Sequence, residues 1–197
     1  MAVLAAVTRI ACAPLTANET ATNTAANSRE ARALVTSPLA EPGGRDLGLT
    51  RRFGAEGHRG EDWTTSSTLG AAVLAIAAGD VVFAGSGDRD GFTGWGNVVI
   101  VRHHIPRTWL LADEVIESLY GHLEEVRVRA GDRVESGHVV GTVGTGGGRY
   151  APHLHFEIRE RLGLGIQAGS GPLAGWLDPS EWLREHGVRI AVASARP

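Results

Sequence analysis

The sequence predicts a mainly β protein: a small antiparallel β-sheet domain with a flexible N-terminal tail and one short C-terminal helix. Three observations carry this. Residues 13 to about 45 are rich in Ala, Thr, Asn, Ser and Pro and lack an apolar period, whereas from Gly48 onward β-branched runs alternate with Gly and Asp turns. Those runs are short and separated by turn residues, the pattern of an antiparallel sheet. Near the end, Asp178-Pro179-Ser180-Glu181 reads as an N-cap, a proline at N1 and a capping-box Glu at N3. The expected boundaries are a tail over 1–45 and a domain over 46–190.

Taken in order, Ser28–Leu34 is a short helical stretch inside the tail. The strand runs are Ala72–Ala77, Asp80–Ala84, Asn97–Arg102, Arg127–Arg129, His138–Val143 and His153–Ile158. Gly79-Asp80-Val81-Val82 and Gly131-Asp132-Arg133-Val134 share a small grammar, a tight glycine turn leading into a valine-rich strand. Thr108–Ser118 reads as an inserted loop or short helix. The closing helix covers about 179–186, with His186 in its last turn and Gly187 as the stop.

Composition excludes several classes. The chain has 197 residues, 43% hydrophobic content and a formal charge of −3, which gives no reason to expect nucleic acid or an anionic membrane face. All 19 basic residues are arginine, so Schiff-base, P-loop and biotinyl or lipoyl lysine chemistry is excluded. The single cysteine, Cys12, excludes an intramolecular disulfide and a Cys-rich metal site. Ala2–Val7 and Ile10-Ala11-Cys12 together read as a degenerate export or lipoprotein signal, with Arg9 where an apolar residue is wanted. No stretch reaches the roughly 20 apolar residues of a membrane span.

The chemistry lies in three short segments. His58 and Asp62 stand four apart in GHRGED, where Gly57 and Gly60 favour a turn entering a strand over a helix. His122 sits in YGHL. His153 and His155, in PHLHFE, share one face of a strand with Glu157, and Leu154 points the other way, into the core. One carboxylate and four imidazoles are enough for an open three-ligand metal site with two imidazoles to spare. Glu157 is placed to orient an imidazole. His103 reads as structural and His138 as solvated. Gly144–Gly148 reads as a flexible groove wall, not a phosphate loop. Trp95, Trp109 and Tyr150 are candidates to line a peptide groove.

Taken in sequence, Phe53-Gly54, His58–Asp62, Ala71–Gly85, Gly94–His103, Tyr120–Leu123, Gly131–Gly146, Pro152–Glu157 and Leu177-Asp178-Pro179 resemble the motifs of lysostaphin/LytM-type zinc metallopeptidases, the M23 peptidase family. The resemblance spans about Arg52 to Leu183. It implies a duplicated-hybrid-motif type of β fold with a groove over one zinc ion per chain. His58, Asp62 and His155 are then the metal ligands, and His122 and His153 the catalytic pair. It further implies a monomeric endopeptidase acting on stem peptides or cross-bridges of bacterial peptidoglycan in the cell envelope, periplasmic or extracellular. It implies no nucleic-acid partner, and membrane association only through a lipidated or anchored N-terminus. The competing reading is a non-catalytic LytM-type regulator that activates a cell-wall amidase; a degenerate member would lack one or more of the five residues. A biotinyl or lipoyl carrier domain is excluded by the missing lysine. Arg59, Glu61, the glycine-rich 145–150 stretch and the 104–118 segment depart from the family pattern and bear on substrate choice.

Overall fold

The computed structural model describes residues 34–39, 47–65, 68–88, 93–106 and 113–190. Ten strands run through them: β1 (Gly48–Arg51), β2 (Glu61–Thr64), β3 (Ala72–Leu74), β4 (Gly79–Ser86), β5 (Asn97–Ile105), β6 (Glu114–Val126), β7 (Arg133–Val134), β8 (Val139–Val143), β9 (Leu154–Arg159) and β10 (Trp176–Leu177). All pair antiparallel, in the order β1-β2-β9-β6-β5-β4-β7, with β10 added to β9 and the β3–β8 pair joined through β6. The mainly β, antiparallel expectation is met. The two glycine-turn segments that share a grammar meet in space, with Gly79 opposite Val134 and Asp80 opposite Arg133.

Strand β9 shows how the sequence builds both faces. Leu154, Phe156 and Ile158 alternate into the main hydrophobic core, which also takes Trp63, Val73, Tyr120 and Leu183. His155, Glu157 and Arg159 take the opposite face and are equally buried. A second, smaller apolar cluster of Trp95, Val98, Ile100, Leu119 and Ile166 lies apart from the main core.

Three expectations are corrected. Within 108–118, residues 114–118 are neither loop nor helix but the start of β6, with Glu117 opposite Arg102 on β5 and opposite Arg159 on β9. Pairing on both sides outweighs the local preference of this polar stretch, and the Arg102 guanidinium satisfies the buried Glu117 carboxylate at 2.7 Å. Arg127–Arg129 is not a strand, because β6 ends at Val126. Within the expected tail, Val35 and Leu39 are buried in the main core. Thr36 N donates to Ile76 O at 2.7 Å, Leu74 N donates to Pro38 O at 2.8 Å, and Leu39 bridges Val73. Burying two such side chains stabilises by about 1.5–3 kcal/mol each. The Ala2–Val7 run, Cys12, Trp109 and residues 28–33 of the expected Ser28–Leu34 helix lie outside the described residues.

The closing helix, α1, runs Pro179–Glu185, with the Asp178 carboxylate accepting Glu181 N at 3.0 Å, as the capping signature predicts. Trp182 and Leu183 anchor it to the core.

Candidate metal centre and active site

His58 is delivered by a tight turn. Ala55–Gly57 forms a 3-10 turn in which Gly54, Glu56 and Gly57 all have positive φ, and it closes through Gly54 N to His58 O at 2.8 Å. Asp62 follows on β2, directly opposite His155 on β9. The register of one strand pair therefore brings together the second and third members of the set.

The three donor atoms converge. His155 Nδ1 lies 3.0 Å from Asp62 Oδ1, and His58 Nε2 lies 3.1 Å from His155 Nδ1 and 3.3 Å from Asp62 Oδ1. The far nitrogens are held by acceptors: His58 Nδ1 donates to Arg52 O at 3.2 Å, and His155 Nε2 donates to Glu157 Oε1 at 3.0 Å. A carbonyl and a carboxylate accept only, so each imidazole turns its other nitrogen inward. Two inward nitrogens and a carboxylate oxygen within 3.0–3.3 Å of one another need a proton or a metal cation between them, and these residues form a group able to hold a metal ion.

The electrostatics agree. Burial alone would raise the Asp62 carboxyl, but hydrogen bonds from His155 and His58 outweigh it and hold Asp62 well below the usual carboxylate range. Burial alone would lower His155, but Asp62 and Glu157 on either side push it up. Burial, opposed by the hydrogen bond from Ser180 Oγ at 2.7 Å, raises the neighbouring Glu61 to about 7.

His122 reaches this site through a bulge. Tyr120 and Leu123 both enter the main core, while a Cβ on Gly121 would meet the Trp95 ring at 3.0 Å. The β5–β6 register slips here, Asn97 facing Leu123 and Val99 facing Tyr120, so Gly121 and His122 oppose a single residue. His122 takes a left-handed φ of 62°, rare for a residue with a Cβ. Plain alternation would have put its ring on the Tyr120 side, in the core. Instead its ring centroid is 4.8 Å from those of both His153 and Tyr150, and 5.9 Å from that of Trp95. Burial and the neighbouring His155 and His153 push its pKa down to about 3, so it is neutral.

His153 precedes β9, and its Nε2 lies 3.6 Å from Asp62 Oδ1. Both outer histidines have Nδ1 tied to a backbone carbonyl, His122 to Trp95 O at 3.2 Å and His153 to Ala151 O at 2.8 Å. That fixes the tautomer with Nε2 as the acceptor. His58, Asp62, His122, His153 and His155 all line one cavity of about 390 Å³, together with Arg51, Trp95, Tyr150 and the Ala168–Ser170 stretch.

Other expectations resolve individually. His103 is buried between Ala78 O at 3.1 Å and Ser118 Oγ at 2.7 Å, away from the cavity, and His138 is exposed. The glycine-rich stretch is a hydrogen-bonded turn closed on Thr145, and it contributes Tyr150 to the cavity wall. Sequence reasoning did not find Ala168–Ser170, which sits in irregular chain with no period. Arg59, a departure beside His58, is the residue that holds this stretch, with Nη1 donating to Ala168 O at 2.9 Å.

The model of Peptidase family M23 matches residues 56–167. A lipoprotein NlpD/LppB homolog of Pseudomonas aeruginosa is 35% identical over 113 residues, which cover 57% of this chain and 33% of that protein. The DD-carboxypeptidase/endopeptidase Mpg of Neisseria meningitidis serogroup B is 36% identical over 102 residues, covering 52% of this chain and 20% of that protein. The chain thus spans a third or less of the length of these two relatives. The antimicrobial peptidase lysostaphin from Staphylococcus simulans shares the fold, with a TM-score of 0.54 at 24% identity over 81% of this chain and 58% of that one. The family match covers His58, β2, the bulge and β9, and the chain belongs to peptidase family M23.

Proposed function

We propose that this chain is a zinc-dependent endopeptidase that hydrolyses peptide bonds in the stem peptides or cross-bridges of bacterial peptidoglycan. One observation carries the reading: His58, Asp62 and His155 converge with their other partners already satisfied, and His122 and His153 face the same cavity. The spacing fits the metal. Three donors about 2.0–2.1 Å from a tetrahedral zinc stand roughly 3.3 Å apart, and here the separations are 3.0, 3.1 and 3.3 Å. Bound there, zinc supplies Lewis acidity to the scissile carbonyl and to the attacking water.

The chain's own residues do the rest. His122 and His153, with Nδ1 fixed on carbonyls, each present a lone pair at Nε2. One of them takes the proton of the attacking water. As the imidazolium it can pass that proton to the leaving amine, and the other histidine can donate to the oxyanion only when it carries a second proton at Nε2. The lowered pKa of His122 leaves it unprotonated at neutral pH. Glu157 holds His155 in the metal-facing tautomer. Trp95 and Tyr150 shape the cavity around the peptide. The work place consistent with this reading is the bacterial cell envelope, and no helix among the described residues is long and apolar enough to cross a membrane.

A second reading, activation of a cell-wall amidase without catalysis, is favoured by relatives such as the murein hydrolase activator NlpD of Escherichia coli, 36% identical over 109 residues. The complete five-residue set ranks it below the enzyme. Incubation of the zinc-loaded protein with purified muropeptides, followed by mass spectrometry, separates the two. New peptide termini are expected. Intact peptides, together with faster release of stem peptides by an added amidase, would make the regulator the better reading.

A further inference from the structure

Segment 160–175, which links β9 to β10, is mostly exposed and contains no strand or helix. A connection of that length is ordinarily either mobile or functional. Here it is tied at several points. Glu117 accepts Gly163 N at 3.1 Å, and Arg159 Nη1 donates to Gly165 O at 2.6 Å. Arg59 holds the next stretch: Nη1 donates to Ala168 O at 2.9 Å and Nε to Pro172 O at 3.1 Å. Its backbone N donates to Gly169 O, and Gly171 N returns to Gly57 O, both at 2.9 Å. The stretch under Arg59 is the one that lines the cavity, Ala168–Ser170.

The same guanidinium lies 4.3 Å above the Trp176 ring. Trp176 Nε1 donates to Glu157 Oε2 at 2.7 Å, and Glu157 Oε1 accepts from His155 Nε2 at 3.0 Å. One unbroken set of contacts therefore runs from the cavity wall, through Arg59, Trp176 and Glu157, to a member of the metal-binding group.

We propose that Arg59 and Trp176 are positioning residues that give the cavity wall and His155 a common support. Arg59 fixes the Ala168–Pro172 wall, and its stacking holds the Trp176 indole where it donates to Glu157. This rests on the metal-centre reading, and its measurements need no turnover. The planar fork of Arg59 makes the two carbonyl contacts and the ring contact together, which a lysine ammonium cannot reproduce. Trp176→Phe keeps an aromatic ring under Arg59 and removes the N–H donor together with the fused pyrrole ring.

The test uses the full chain. Hydrogen exchange is followed at the Gly171 and Arg59 amides, zinc affinity is measured against a chromophoric chelator, and Tm serves as control. Arg59→Lys should speed exchange at both amides by about 10-fold or more. Trp176→Phe should leave exchange near wild type. Both should weaken zinc about 10-fold, the usual effect of losing a group that orients a ligand. Wild-type exchange in Arg59→Lys, or wild-type zinc affinity in either variant, overturns the proposal, as does a lowered Tm as the sole effect. Should Arg59→Lys not fold, the zinc affinity of Trp176→Phe decides. A wild type that binds zinc but leaves muropeptides intact would remove the endopeptidase reading and leave these measurements standing.

Discussion

Glu157 holds His155 from behind: its Oε1 accepts the imidazole Nε2–H at 3.0 Å, while Nδ1 on the other side of the ring faces Asp62 at 3.0 Å. A histidine held between two carboxylates has its pKa raised, so without metal it carries a proton on the nitrogen a metal would take. Zinc binding near neutral pH should therefore displace about one proton per ion. Calorimetry in buffers of different ionisation enthalpy measures the number. Zinc affinity should fall as pH falls, because proton and metal compete for Nδ1. Binding of one zinc per chain with no proton release would show that His155 is not a ligand.

The two groups of histidines should separate on substitution. His155→Ala removes a donor from the three-residue set, so zinc affinity and activity should fall together. His122→Ala and His153→Ala should keep zinc while turnover drops about 10²-fold or more. Metal content and muropeptide turnover, measured on the same preparations, check this. Loss of zinc from His122→Ala comparable to that from His155→Ala would contradict the assignment.

Truncation should locate the start of the folded unit. Deleting residues 1–33 should leave the urea midpoint unchanged. Deleting 1–45 also removes Val35 and Leu39 from the core and should lower stability by about 3 kcal/mol or more. Equal stability of the two truncations would show that these side chains are dispensable.

His103 makes a pH prediction away from the metal. Burial pushes its pKa down from 6.5 to about 4, and it sits neutral between Ala78 O and Ser118 Oγ. Between those values the unfolded chain binds the proton and the folded chain does not. Its contribution is therefore fully present above about 6.5 and is lost as pH falls toward 4, by up to about 3 kcal/mol. Urea titrations at pH 7 and pH 5 should show a steeper loss in wild type than in His103→Gln. Parallel losses would mean that His103 does not titrate with unfolding.

The sequence was legible where one force dominated. Ala72–Leu74, Val139–Val143 and Leu154–Arg159 are apolar or alternating runs bounded by turn residues, and they are strands. Strand β1 was missed, and β2 was expected only as an unbounded strand entered from the His58 turn, because each is four residues long and carries charged side chains, among them Arg51, Glu61 and Asp62. The first part of β6 was missed because Glu114 and Glu117 look like surface residues until Arg102, Trp182 and His186 supply their partners. The five histidine and aspartate positions were legible from short motifs, and the structure places them around one cavity. The Ala168–Ser170 wall was not, because its position is set by Arg59, more than a hundred residues away in the chain.

The bulge at Gly121-His122 makes the proposed catalytic imidazole and the scaffold separable by a single residue. Removing His122 would restore plain two-residue alternation between β5 and β6, and the ladder would zip through without its left-handed step. Such a chain would keep its sheet, its core and the His58–Asp62–His155 group, yet present no imidazole beside His153. On the proposed reading, a peptide-cutting protein and a silent binding domain lie one codon deletion apart within this architecture.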